Sequence, residues 1–149
     1  MAVLEAPTGT LSLREARLRA AEVLRGVAPL RLLLGLTKDP VILADMKDSV
    51  DPPVLLVGWL EDNWLEGDGN CRYKAALTVL ALSARLDPTP AIEDLEALVS
   101  HTLDSFHADA YQWGHPTVQA PRGEQLGGIP YLGARITFRV SVTTLSQEA

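Results

Sequence analysis

The sequence predicts an α+β fold: a mostly antiparallel sheet of about four strands with two helices packed on one face, in the order α-β-β-α-β-β. Three observations carry this expectation. Leu132, Ala134, Ile136, Phe138, Val140 and Val142 alternate with Gly133, Arg135, Thr137, Arg139, Ser141 and Thr143. Period-two alternation of that length describes an antiparallel strand with one buried and one polar face. Two further stretches carry apolar residues at helical spacing instead, one near the N-terminus and one at residues 92–106. A sheet with one apolar face must bury it, and amphipathic helices are the available cover.

The first helix is announced by Ser12-Leu13-Arg14-Glu15, a capping box in which the Ser hydroxyl takes an orphan amide and the Glu reaches back. Leu13, Ala16, Ala20, Leu24 and Val27 then trace one face. Pro29 breaks or kinks this helix because it has no amide hydrogen. Residues 36–53 hold Pro40, Asp45, Asp48, Asp51 and the Pro52-Pro53 pair without a clean period, and read as a long connection or arm. Val54–Trp59 is a short β-branched run and reads as a buried strand.

Gly67-Asp68-Gly69-Asn70 is a turn cluster. The run Cys71–Leu86 fits a buried helix or a strand; its start after a turn and its Thr78-Val79 centre favour a long strand, forming a hairpin with Val54–Trp59. Thr89 and Pro90 suit the N-cap and first position of the second helix. Its stripe is Ile92, Leu95, Leu98, Val99, Thr102, Leu103 and Phe106, with Glu93, Glu96 and Asp104 opposite. After a turn at Tyr111–Gly114, short strands are expected around Thr117–Ala120 and Glu124–Leu126. Gly127-Gly128 supplies the positive φ angles of a tight turn before the last strand.

At 149 residues with 47% hydrophobic residues the chain reads as a single domain, 1–149, ending in a flexible 144–149 tail. One Cys excludes an internal disulfide framework. No apolar run has the length of a membrane helix, and no signal-peptide layout is present. A formal charge of −6 argues against electrostatically driven nucleic-acid binding. That charge is unevenly placed: residues 1–36 carry +2, 37–70 carry −6, 71–86 carry +3, 87–110 carry −6 and 111–149 carry +1. Ordinary solvated faces would account for this. So would acidic and basic surfaces that meet across a subunit boundary and set its register.

No catalytic constellation emerges. Cys71 has no local nucleophile signature and reads as a structural thiol. His101 and His107 fall on opposite sides of the second helix's stripe, too far apart in angle to share a metal, and read as solvated. Counting from Glu66 as an EF-hand start puts Cys71 and Leu77 where Gly and Glu are required, so the calcium pattern fails. A divalent site completed by a neighbouring subunit's acids is the weaker alternative. Gly67-x-Gly69 lacks a third glycine and precedes a strand, unlike a dinucleotide loop. Arg14, Arg17 and Arg25 cluster on one side of the first helix as a partner-facing or solvated edge. Trp59 and Trp64 bracket the acidic loop and Trp113 follows the second helix; such residues serve either the core or an interface.

Several stretches taken together resemble the small tail terminator proteins of long-tailed phages, especially those infecting actinobacteria. They are the Val54–Trp59 strand followed by Glu61–Leu65, Cys71-Arg72 opening a long strand, and the Leu95–Leu103 helix. Gly127-Gly128-Ile129-Pro130-Tyr131-Leu132 leading into Ala134–Val140 completes the set, so the resemblance covers roughly residues 54–143. It implies a non-enzymatic α/β subunit, with no cofactor, that closes into a homohexameric ring at the tail–neck junction of the virion. Such a ring caps the head-proximal end of the tail tube, ends its polymerisation and joins it to the head.

The implied partners are other copies of the chain, the major tail tube protein and a head-side neck or connector protein. Genomic DNA would pass through the lumen without specific binding, and an acidic lumen lined by Glu61, Asp62, Glu66 and Asp68 would let it slide. The resemblance further implies no membrane partner and assembly in the host cytoplasm. The family defines no active site, so Trp59, Glu61, Asp62, Trp64, Arg135 and Arg139 are the interface candidates. The alternatives are a head-closure or head–tail adaptor protein of the neck and, in a different class, a small cytoplasmic ligand-binding protein.

Overall fold

A computed structural model of the protein describes residues 9–26, 40–43, 52–67, 72–83 and 88–144. The expectations for Val27 and Pro29, most of the 36–53 connection, Asp68–Cys71 and the last five residues lie outside the described residues. Among the described residues, two helices, α1 (Leu13–Gly26) and α2 (Pro88–Ala108), accompany seven strands. The strands are β1 (Val41–Leu43), β2 (Val54–Gly58), β3 (Leu65–Gly67), β4 (Tyr73–Ser83), β5 (Pro116–Val118), β6 (Arg122–Leu126) and β7 (Ile129–Val142). The fold is therefore α+β with a mostly antiparallel sheet, but with more strands than the expected four and a longer element order.

β4 and β7 form the spine, antiparallel along their whole overlap from Tyr73↔Val142 to Ser83↔Leu132. β2 and β3 both pair antiparallel with β4, and β5 and β6 both pair antiparallel with β7. β1 joins β2 in parallel, Val41↔Leu55 to Leu43↔Val57. Two of the additional strands, β1 and β3, are three residues long and lie in segments read as connections. Three residues are too few to show an alternation, so neither strand leaves a local period to detect.

Helix α1 begins where the capping box places it. The Ser12 amide donates to Glu15 Oε1 and the Glu15 amide to Ser12 Oγ, both at 3.2 Å, an arrangement worth about 1 kcal/mol. Its buried residues are Ala16, Ala20, Ala21, Val23 and Leu24. Small residues there let α1 approach β1, β2 and α2 closely. α2 opens at Pro88 rather than Pro90; amides in the first turn have no intrahelical partner, so neither proline costs a hydrogen bond. Its buried stripe is Ala91, Leu95, Leu98, Thr102, Ser105 and Phe106, whereas Ile92 is 42% exposed and lies off the stripe.

Both helices share one core with the face of the sheet formed by Leu55, Val57, Ala75, Leu77, Val79, Ala81, Ile136, Phe138 and Val140. The alternate residues of the same strands form a second apolar cluster on the other face: Val54, Leu56, Leu80 and Leu82, joined by Leu126. β4 is thus buried on both faces, which is why its sequence is continuously apolar and admits a helical reading.

The beginning of α1 is tied to the end of β7. Ser12 bridges Thr143 in parallel, the Leu13 amide donates to the Thr143 carbonyl and the Thr143 amide to the Leu11 carbonyl, both at 3.0 Å. Tyr111 reinforces the junction: its hydroxyl accepts from the Leu11 amide at 3.2 Å and donates to the Ser141 carbonyl at 3.0 Å.

Gly127 and Gly128 turn the β6–β7 hairpin with φ of 57° and 78°, the two positive angles of a type I′ turn. Gly114 is more constrained. Its φ is 82°, and a Cβ there would lie 2.7 Å from the Arg139 carbonyl oxygen. Gly114→Ala is expected to cost more than the roughly 1–3 kcal/mol of left-handed strain alone, because backbone must also move. Gly128→Ala, with open space around it, supplies the strain-only comparison in thermal melts.

Candidate functional site

The six interface candidates gather in two places. In the turn after β2, Asn63 takes a left-handed φ of 53° and brings the chain back on itself. Trp59 and Trp64 consequently stack, ring centroids 5.0 Å apart at 22°, half-buried against the main core. Glu61 is also half-buried, and Asp62 is exposed at the tip. Glu66 is exposed on β3, while Asp68 lies outside the described residues.

Arg135 and Arg139 lie on the second face of β7, four residues apart, in opposite circumstances. Arg139 is exposed. The Arg135 side chain is only 10% exposed and is held by Glu124 of β6, itself 6% exposed. Arg135 Nε donates to Glu124 Oε2 and Nη2 to Glu124 Oε1, each at 2.9 Å, a two-pronged pair. Its Nη1 reaches Glu61 Oε1 at 3.3 Å and the Leu60 carbonyl at 3.4 Å. One guanidinium therefore clamps β6, β7 and the turn after β2 across the second face. Opposite Arg135 in the register is fully buried Leu80, so the position that alternation marks as polar is a covered one. The sequence signal for this burial was the unbroken apolar run of β4, whose residues on this face need cover of their own.

A second network joins the helices. Asp109, 4% exposed at the end of α2, accepts from Arg19 of α1 at 2.7 and 2.9 Å and from the Trp113 indole at 2.8 Å. Trp113 is 3% exposed and meets Phe106 and Tyr111 edge-on. His101 is half-buried, its Nε2 2.9 Å from the Leu24 carbonyl, so it links the helices instead of standing in solvent. Sequence reasoning missed Arg19, Asp109 and Glu124, since each acquires its meaning from a partner 90 or 11 residues away.

These pairs set an acid dependence. Burial works to raise the Asp109 carboxyl, but hydrogen bonds from Arg19 and Trp113 and the Arg19 charge hold it below its ordinary value. Hydrogen bonding from Arg135 lowers Glu124 against the opposing effect of burial, and Arg135 is raised in turn. Because both carboxyls bind protons more weakly folded than unfolded, their stabilisation is complete above the ordinary carboxylate range and lost as pH falls through the folded values. Urea midpoints measured from pH 7 to pH 3 are expected to fall steeply below about pH 4.5. Replacing Glu124 and Arg135 together by apolar residues should flatten that fall.

Two charged regions are exposed among the described residues. The outer side of α2 carries Glu93, Glu96 and Asp104, all exposed, and the end of the second sheet face carries Lys74 and Arg139, with Arg72 just before β4. An open depression of about 750 Å³ lies between the last turn of α2, residues 109–115 and β7. Among the described residues, no group of three or more His, Cys, Asp and Glu side chains is placed to hold a metal ion. No helix among them is long and apolar enough to cross a membrane. No model of a known protein family matches the chain, and no curated protein matches it.

Proposed function

We propose that the chain is a structural virion subunit, a tail terminator that closes into a ring on the head-proximal end of a phage tail tube. The ring would end tube polymerisation and join the tail to the neck of the head. The observation that carries this reading is the placement of exposed charge. Glu93, Glu96 and Asp104 project from α2, outside one face of the sheet, and Lys74 and Arg139 from the opposite face. Complementary surfaces on opposite sides of one subunit favour a head-to-tail contact, the kind that generates closed rings. The stretches that carry the resemblance also adjoin in space: β2 and its turn, β4, α2 and the β6–β7 hairpin pack through the shared cores.

Native mass spectrometry and pelleting with preformed tail tubes test the reading. A hexamer, free or formed on the tube end, and capture by tubes rather than filled heads are expected. Capture by filled heads alone would favour a head-closure or adaptor role. A chain that stays monomeric and binds neither would favour the small ligand-binding protein, for which the depression beside α2 is the supporting observation.

A further inference from the structure

The depression at the end of α2 has the chemistry of a receptor for a cation. Asp104, His107, Tyr111, Trp113, His115 and Phe138 line it, and no lysine or arginine does. The C-terminal end of a helix presents unpaired carbonyls and the negative end of its dipole. Asp104 adds an exposed carboxylate, whereas Asp109 is already occupied by Arg19. The aromatic wall is rigid: Phe106 stacks on Phe138 at 4.4 Å, and the Trp113–Asp109 hydrogen bond fixes the indole. A planar guanidinium suits such a site, because its fork of donors can reach the exposed Asp104 carboxylate and the last carbonyls of the helix together.

Such a group is exposed on the opposite side of the same strand. Phe138 faces the depression side, and its neighbour Arg139 faces the other way by the alternation of β7. We infer that the depression receives Arg139 of a second copy of this chain, with Asp104 as its carboxylate partner. Donor and receptor lie on opposite faces of one subunit, so the contact repeats from copy to copy without using up either surface. The inference rests on the ring-forming reading above and names its contact.

Association of the wild-type chain, Asp104→Arg, Arg139→Asp and the combined variant is measured by sedimentation, free and on preformed tail tubes. Each single variant is expected to weaken association about tenfold or more, and the combined variant to recover most of that loss. Both positions are exposed, so melting temperatures should stay at the wild-type value. If either charge reversal prevents folding, Asp104→Asn and Arg139→Gln are expected to weaken association in the same direction. Association untouched by the single variants, or losses that simply add in the combined one, would overturn this contact and leave the ring reading standing. A wild-type chain that associates neither in solution nor on tubes overturns both.

Discussion

Arg135→Ala is expected to lower the free energy of unfolding by about 3–5 kcal/mol, the range for removing one partner of a buried ion pair. Glu124 would keep its charge at 6% exposure with no two-pronged donor, and the Leu60 carbonyl and Glu61 would lose theirs. Because three elements meet at this guanidinium, the loss should fall on the β6–β7 hairpin and on the turn that stacks Trp59 on Trp64. Urea denaturation measures the total, and tryptophan fluorescence reports whether that stack opens first. The control is Arg135→Met with Glu124→Leu. Apolar side chains there would join Leu80, Leu82 and Leu126, so the pair of substitutions should cost far less than either single one. A loss below about 1 kcal/mol for Arg135→Ala would mean that the pair behaves as a solvated one.

Asp109→Ala should follow closely, at about 3 kcal/mol, since it strands the Arg19 guanidinium and a buried indole N–H together. Arg19 is 13% exposed and reaches water more easily than Glu124, which makes this the smaller effect. Asp109→Asn separates the two contributions. An amide oxygen can still accept from Trp113, so only the charge pairing with Arg19 is lost. Its denaturation midpoint is expected between those of the wild type and Asp109→Ala. The same variants disturb the floor of the depression, because Trp113 is held there by Asp109.

The parts of this fold that were legible in the sequence are those whose cause is local. Ser12 and Glu15 satisfy each other three residues apart, and Gly127-Gly128 meets a conformational demand that few other residues meet. The alternation of β7 follows from one strand lying between a core and a different environment. The sequence left that second environment undefined. Arg135 and Arg139 share a face and a residue type, yet one is opposite Leu80 and the other opposite Ala76 near the end of the sheet. Only the register with β4, and the approach of Glu124 and Glu61, make the first a clamp and leave the second exposed. Asp109 and Arg19 were similarly opaque, since their meeting requires α1 and α2 to be packed already.

The pairing of Ser12 with Thr143 has a topological consequence. The described chain enters and leaves the fold through a single port beside the end of β7, held by two backbone hydrogen bonds and the Tyr111 hydroxyl. Leu11 and Thr143 therefore share one corner of the described fold, and loss of the Tyr111 hydroxyl would loosen the start of α1 and the end of β7 together.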